Sequence, residues 1–336
     1  MPLTINRALI LGSNAFTAAH FIDYLLANTD AEIVGISRSP EYHPVFLPYA
    51  ANKARAARFR FHQLRVTTQL DDVLRICDAF RPDLVVNFAA QGEVRNSWKW
   101  PEQWWETNAM AVVRLAEALR QRDYLRRYVA VSTPEVYGST GEDVRESHCY
   151  QPSTPYGASK LAGDLHLLTL FKRYDFPVVF TRAANLYGAH QQLYRIIPRA
   201  AIYAKLGRKL ELHNRGLTRR AFIHARDVAD GTWRAVTRGR SGEVYHLAPD
   251  REIFTVAEVV ELVSRQLGLR LEDVATLSVE NFGQDSLFSL NADKARDELG
   301  WKPQVKFADG VAETIRWVGD NFDFIKTQPL EYVHQA

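Results

Sequence analysis

An α/β fold is what the sequence predicts: a doubly wound, Rossmann-type parallel sheet with a smaller C-terminal lobe. Three observations carry the prediction. Short apolar runs alternate with helical patterns as far as residue 185, which implies crossover connections and a sheet covered on both faces. The first run ends in a turn of small residues, "LGSNAFTAAH" (11–20). After about residue 186 the alternation loosens, and Gly, Arg and Pro become common.

The elements follow in order. "RALILG" (7–12) is apolar and ends in glycine, as a buried strand does. In "AFTAAHFIDYLLA" (15–27) the residues Phe16, Ala19, Phe21, Ile22, Leu25 and Leu26 recur at helical spacing. "EIVGISR" (32–38) and "FRFHQLRV" (59–66) are the second and third strands. "LDDVLRICDAF" (70–80) is a helix stopped by Pro82. "DLVVNFAA" (83–90) is the fourth strand, and "TNAMAVVRLAEALRQ" (107–121) the next helix. "RYVAVST" (127–133) is the fifth strand, "SKLAGDLHLLTLFKRY" (159–174) a helix, and "PVVFTRAAN" (177–185) the sixth strand. Residues 1–185 thus make one domain, to which 219–240 return as strand and helix. Residues 186–218 and 241–336 make the lobe, with amphipathic helices at 256–268 and 307–322.

Composition narrows the partners. The chain has 336 residues, 46% hydrophobic and 24% charged, enough for one substantial core and a second lobe. A net charge of +3 suits an anionic ligand. Two cysteines, Cys77 and Cys149, make no disulfide framework and point to a reducing compartment, so the expected location is cytoplasmic. The start lacks a signal-peptide pattern, and no run approaches the ~18 apolar residues of a membrane helix. Ten scattered histidines lack H-E-x-x-H or C-x-x-C spacing, so no metal is expected. "RGLTRRAFIHAR" (215–226) is basic but lacks a nucleic-acid recognition pattern. The tryptophans of "SWKWPEQWW" (97–105) are read as packing or surface residues.

A dinucleotide fingerprint wants small residues in a tight turn, where backbone nears a pyrophosphate, and where helix packs on strand. Gly12, Ala15 and Ala18 stand at these places. Gly12, Asn14, Ala15 and Phe16 are therefore expected at a cofactor. The second strand ends "GISRSPEY" (35–42), where an acidic residue would hold the ribose 2′-hydroxyl of NAD. Ser37 and Arg38 are there instead, and Arg38 offers planar, charge-assisted bonds to a 2′-phosphate. NADP is the expected cofactor, with NAD as the alternative.

The chemistry concentrates in "STPEVYG" (132–138) and "STPYGASK" (153–160). Tyr156 and Lys160 lie four apart, on one helical face. A tyrosine is normally protonated at neutral pH, with a pKa of about 10. Nearby positive charge lowers that value. A phenolate so placed takes a hydroxyl proton while hydride leaves the carbon. Thr133 or Ser132, at the end of the fifth strand, can hydrogen-bond the same oxygen.

With these motifs the chain resembles the extended short-chain dehydrogenase/reductases that act on nucleotide sugars. It is most similar to the nucleotide-sugar 4,6-dehydratases. The resemblance runs from "LGSNAFTAAHFIDYLL" through "NFAAQGEVRNSW", "RAANLYGAHQQLYRIIPR" and "RRAFIHARDVADG" to "NADKARDELGWKP". It implies that Tyr156 is the base for the sugar O4, that Lys160 supports it, and that Thr133 orients O4. It puts Glu135 where a carboxylate removes the C5 proton. Ser132, Asn185 and Arg220 fall among the substrate contacts, the last two at the sugar diphosphate, while Ala89, Ala90 and Gln91 line the cofactor cleft. The implied reaction oxidises C4, eliminates water across C5 and C6, and returns the hydride to C6. The cofactor is regenerated each turnover and stays tightly bound. Helices 107–121 and 159–174 carry wide apolar faces; the resemblance implies a homodimer through them, though burial within one chain fits the sequence equally.

Departures matter. Pro134 stands where dTDP-glucose dehydratases carry an aspartate as acid for the leaving hydroxyl. GDP-mannose dehydratases also lack it, which suggests that Glu135 does both jobs. Leu64 stands near the place from which an aspartate reaches the adenine in relatives. "GQDSLFSLN" (283–291) lacks an arginine for the nucleotide, leaving the base open. A decarboxylase with Arg182 or Arg195 at the C6 carboxylate, a 4-epimerase, and a non-catalytic NADP-binding sensor are the rival readings.

Overall fold

The computed structural model describes residues 3–138, 143–250, 252–280 and 289–335. Seven parallel strands form its central sheet: β1 (Arg7–Leu11), β2 (Glu32–Ser37), β3 (Phe59–Gln63), β4 (Leu84–Asn87), β5 (Arg127–Val131), β6 (Val178–Ala183) and β7 (Val244–Leu247). Their spatial order is β7-β6-β5-β4-β1-β2-β3. The order reverses between β1 and β4, where Leu11 pairs with both Ile36 and Asn87. A ligand crevice opens at the carboxyl ends of strands at such a reversal.

The sheet is buried on both faces, which is why its strands read as near-continuous apolar runs. One face packs with helices α2 (Leu70–Phe80), α3 (Ala111–Leu119) and α4 (Pro155–Tyr174); this core holds Leu9, Leu11, Leu115, Tyr128 and Leu167. The other face carries α1 (Phe16–Asn28) and, later in the chain, a helix at Ala225–Arg238. The Tyr24 hydroxyl ties the two together by donating to Asp230 at 2.8 Å. The core there holds Ala8, Ile10, Phe21, Ile22, Leu25 and Val236.

Several expected boundaries move. The stretch 107–121 is entered six residues before its expected start, through Pro101–Trp105, a π-helical turn at Glu106–Met110, and then α3. Helix α4 begins at Pro155 instead of Ser159. Thr154 caps it by accepting from the Gly157 N–H, and Pro155 occupies the first turn, where a missing N–H costs nothing. Tyr156 therefore rides on the first turn of a helix. Val244–Leu247, expected in the lobe, instead completes the central sheet beside β6. A four-residue buried run between loops carries too little period to announce its partner. Conversely, the strand expected to return with residues 219–240 pairs outside that sheet: Phe222–His224 lies beside Asn185–Tyr187.

The lobe has its own core, built from Leu193, Ile197, Ala200, Val259, Val263 and Trp317. It gathers α5 (Ile196–Lys205), α7 (Val256–Gln266) and α8 (Phe307–Asp320), while α6 (Ala225–Arg238) is the helix that packs with α1 on the sheet. Among the described residues no helix is long and apolar enough to cross a membrane.

Candidate active site

The turn after β1 forms the floor of the crevice. Gly12 has φ +73, a left-handed conformation, and a Cβ there would sit 2.6 Å from the Ala89 nitrogen. Only glycine fits such a place. Asn14, buried, ties this turn to the loop after β2. Its N–H donates to Ser37 Oγ at 3.0 Å, and its side-chain amide donates to Ser39 Oγ and the Pro40 carbonyl. Its buried Oδ1 has no hydrogen-bond partner in the protein.

A cleft of about 660 Å³ opens over this floor. Gly12, Asn14, Ala15, Ser37, Arg38, Ala89, Ala90 and Gln91 line it. Phe16 does not line it; its ring turns inward, edge-on to His20 at 4.8 Å. Leu64 and Arg65 add to the wall on the Arg38 side. Burial and the neighbouring Arg65 charge hold the Arg38 guanidinium below its ordinary pKa. Two cations beside each other favour an anion between them. The fit to a dinucleotide is good: a glycine cradle, an unpartnered polar atom and paired cations lie along one cleft.

The catalytic stretch is built in two pieces. Thr133 caps a short 3-10 turn, Pro134–Tyr137, with Pro134 at its first position and Glu135 in its first turn. This is the local role of the proline: its fixed φ starts the turn that carries Glu135. Gly138 ends the turn at φ +75, with Gln151 O only 1.9 Å from where a Cβ would be. Glu135 O packs within 2.8 Å of the Cβ position of Gly157, so the turn lies against the first turn of α4. The Thr154 hydroxyl donates to the Glu135 carboxylate at 3.3 Å.

Thr133 lies close enough to Tyr156 for its hydroxyl to act on the phenol, and that hydroxyl also accepts from the Glu135 N–H at 3.3 Å. Desolvation pushes the Tyr156 phenol up to about 12; the Thr133 hydroxyl and Arg195 act downward, the Glu135 charge upward. Lys160 is buried and donates to the Val131 carbonyl at 2.8 Å. Desolvation lowers its pKa, while the nearby Asp164 carboxylate opposes that shift. The phenol is therefore a poor base until more positive charge arrives beside it.

The Ser132 hydroxyl, expected among the substrate contacts, donates to Asp164 at 2.5 Å. Asp164 also receives Arg182 at 3.0 Å, and both side chains are buried. Arg182 stacks over Tyr137 and Tyr150, so it is consumed by the interior and is no receptor for a substrate carboxylate. Arg195 is exposed at the start of α5. Asn185 donates to the Ala221 carbonyl at 3.2 Å, and Arg220 to the Arg219 carbonyl at 2.8 Å. They lie near each other, because Asn185 pairs with Phe222, two residues from Arg220.

Three buried residues that bond to the candidate site carry no sequence signal. Asn108, on the π turn, accepts from the Gln91 N–H at 2.9 Å and donates to the Gln91 carbonyl and to Ser159 Oγ. Ser159 in turn donates to the Tyr156 carbonyl at 2.8 Å. The series ties the cofactor loop to the catalytic helix. A Cβ at Gly163 would meet Asn108 O at 2.5 Å, so α4 crosses the π turn with no room to spare. Asp164 is the third. In the lobe, Glu211, His213 and Glu280 bring ligand atoms within 4.8 Å of one another, but all three are exposed. Residues 283–288 of "GQDSLFSLN" lie outside the described residues.

Comparison with known proteins agrees with this geometry. The model of the NAD dependent epimerase/dehydratase family matches residues 8–248. A dTDP-glucose 4,6-dehydratase of Streptomyces niveus is 33% identical over 324 residues, covering 94% of this chain and 93% of its own. A solved dTDP-glucose 4,6-dehydratase of Streptomyces venezuelae, with NAD and TYD bound, superposes with a TM-score of 0.82 at 29% identity, covering 95% and 98% of the two chains. One from Bacillus anthracis, in complex with NAD, gives 0.84 at 27% identity over the same shares. Sheet order, glycine cradle, Tyr-Lys pair and these likenesses lead to one conclusion: the chain belongs to the NAD-dependent epimerase/dehydratase family.

Proposed function

We propose that the protein is a nucleotide-sugar 4,6-dehydratase that converts an NDP-hexose to an NDP-4-keto-6-deoxyhexose. The observation that carries this is Glu135, a carboxylate on a turn packed against the first turn of the Tyr156 helix, close enough for its charge to act on Tyr156. A 4-epimerase has no use for a carboxylate there. The decarboxylase reading loses Arg182 to the buried pair with Asp164, and the sensor reading does not account for an intact Tyr-Lys pair.

A bound nicotinamide dinucleotide would accept the hydride from C4 and later give it back to C6. The chain does the rest. Tyr156 takes the O4 proton, its phenol brought into range by Lys160 and the oxidised ring, while the Thr133 hydroxyl fixes O4. The 4-keto group acidifies C5–H, which brings it within reach of a weak carboxylate base. Glu135 takes that proton and donates it to the departing C6 oxygen, so no second acid is needed and Pro134 is tolerated; when the hydride returns to C6, C5 takes a proton from solvent. Asn185 and Arg220 hold the diphosphate. The Arg38–Arg65 pair favours NADP, whereas the solved relatives named above carry NAD.

The enzyme works in the cytoplasm, as its two free cysteines suit, and as a homodimer. Trp105, Met110 and Leu165 are exposed on the paired helices that would form the contact. The test is mass spectrometry of the purified protein with dTDP-glucose, CDP-glucose, UDP-glucose, GDP-mannose, UDP-GlcNAc and UDP-glucuronate, each with NADP and NAD. Loss of water from one substrate is the expected outcome; loss of carbon dioxide would establish a decarboxylase.

A further inference from the structure

The carboxy-terminal segment leaves the lobe and crosses to the sheet domain at the mouth of the cofactor cleft. It runs extended, with Leu330, Tyr332 and His334 partly buried and Glu331, Val333 and Gln335 exposed, the alternation of a chain laid on a surface. At its lobe end Glu331 pairs with Arg199 at 2.5 Å, and Tyr332 meets the Tyr194 ring edge-on at 5.3 Å. At its far end His334 stacks on Trp100, centroids 4.5 Å apart and planes within 11°, and on Trp104 at 5.5 Å and 10°. His334 Nε2 lies 2.8 Å from Gln103 Oε1, which can only accept, so Nε2 carries the proton and Nδ1 faces the Tyr332 hydroxyl at 3.4 Å. Finally the Gln91 side chain donates to the Gln335 carbonyl at 3.0 Å, and Gln335 itself lines the cleft.

We propose that residues 330–335 are a cofactor-retaining strap, a removable wall of the cleft that latches the lobe to the sheet domain over a bound nicotinamide dinucleotide. The proposal rests on the cofactor reading above. Among the described residues the strap joins the two halves of the molecule through side-chain contacts and one backbone carbonyl. It has no strand partner among the described residues, and it is the kind of weakly held element from which lids are drawn. It ends on Gln91, whose backbone is held by Asn108, itself bonded to Ser159 on the catalytic helix, so closure is felt at the nicotinamide end. The exposed Val333 and the half-exposed Trp100 are the outer face of this latch. A cofactor that is regenerated within each turnover has no need to leave, and a strap that slows its escape suits such a cycle.

The experiment compares the intact chain with a chain ending at Glu331 and with His334→Ala. Ending at Glu331 keeps Leu330 on the lobe core and the Arg199 pair. Each protein is loaded with NADPH, and separately with NADH, and the fluorescence lost on mixing with excess oxidised cofactor gives the release rate. The strap predicts release about tenfold faster or more for the shortened chain, with association little changed, because such contacts act on the off-rate. His334→Ala falls between. Melting without cofactor reports whether the shortened chain is folded; if it is not, His334→Ala decides, since its ring sits at the surface end of the latch. Equal release rates overturn the proposal, and so does faster association with unchanged release, which would make the segment a plug. If the intact chain binds neither cofactor, the cofactor reading itself falls, and the strap with it.

Discussion

Glu135 bears the most weight among single residues. Its replacement, Glu135→Gln, keeps the Thr154 contact but removes the base. Turnover to the deoxy sugar is expected to fall roughly 10²–10⁴-fold, the usual worth of one acid–base group. A single round of C4 oxidation, read by cofactor absorbance, persists; equal loss of both steps would give Glu135 a binding role instead. Lys160→Met removes the buried ammonium to which the proposed mechanism assigns support of the Tyr156 phenolate. The base must be deprotonated, so neutral-pH activity falls and recovers as pH rises, shifting the limb of the pH–rate profile upward. Arg38→Ser is expected to shift the ratio of affinities from NADP toward NAD, measured by competition. In the candidate site the Tyr-x-x-x-Lys pair and the glycine turn are legible in the sequence because their spacing is fixed. Asn108, Ser159 and Asp164 are not, because a buried hydrogen-bond partner is chosen by tertiary approach and leaves no period. Ser132 shows the same limit: adjacent hydroxyls look alike in sequence, and only the position of Asp164 decides which one turns inward.

Among the elements, the two short turns matter more than any helix. Gly138→Ala would put a Cβ on the Gln151 carbonyl at a left-handed φ. It should destabilise the protein by about 1–3 kcal/mol, as strained turns do, and displace Glu135. Denaturant midpoint and turnover should fall together. An unchanged midpoint would mean that the turn relaxes freely. Long periodic helices and apolar strands were readable from their pattern. Missed were the early start of α4, hidden in "PSTPYG", and the π turn, which appears where α4 presses on Asn108 and is a response to packing. Val244–Leu247, expected in the lobe, joins the central sheet, since a four-residue run does not say which sheet it joins.

Across the whole molecule, buried histidines couple folding to pH. His20, His224 and His246 are buried and held near pKa 3, mainly by desolvation. A lowered histidine binds fewer protons folded than unfolded, so stability is full above the ordinary 6.5 and is lost as pH falls below it. Each costs roughly 1.4 kcal/mol per pH unit in that window, or about 4 kcal/mol for the three near pH 5.5. A melting temperature unchanged between about pH 7.5 and 5.5 would contradict this. The proposed dimer has its own check: Leu165→Glu, on the exposed face of α4, should give monomers by light scattering.

The most direct test of the central claim is mass spectrometry of the sugar-nucleotide products formed by the wild type and by Glu135→Gln. The expected result is loss of water from one nucleotide sugar, uptake of one solvent deuterium at C5 in heavy water, and no water loss with Glu135→Gln. Unchanged mass with every substrate, loss of carbon dioxide, or full dehydration without the Glu135 carboxylate would contradict it.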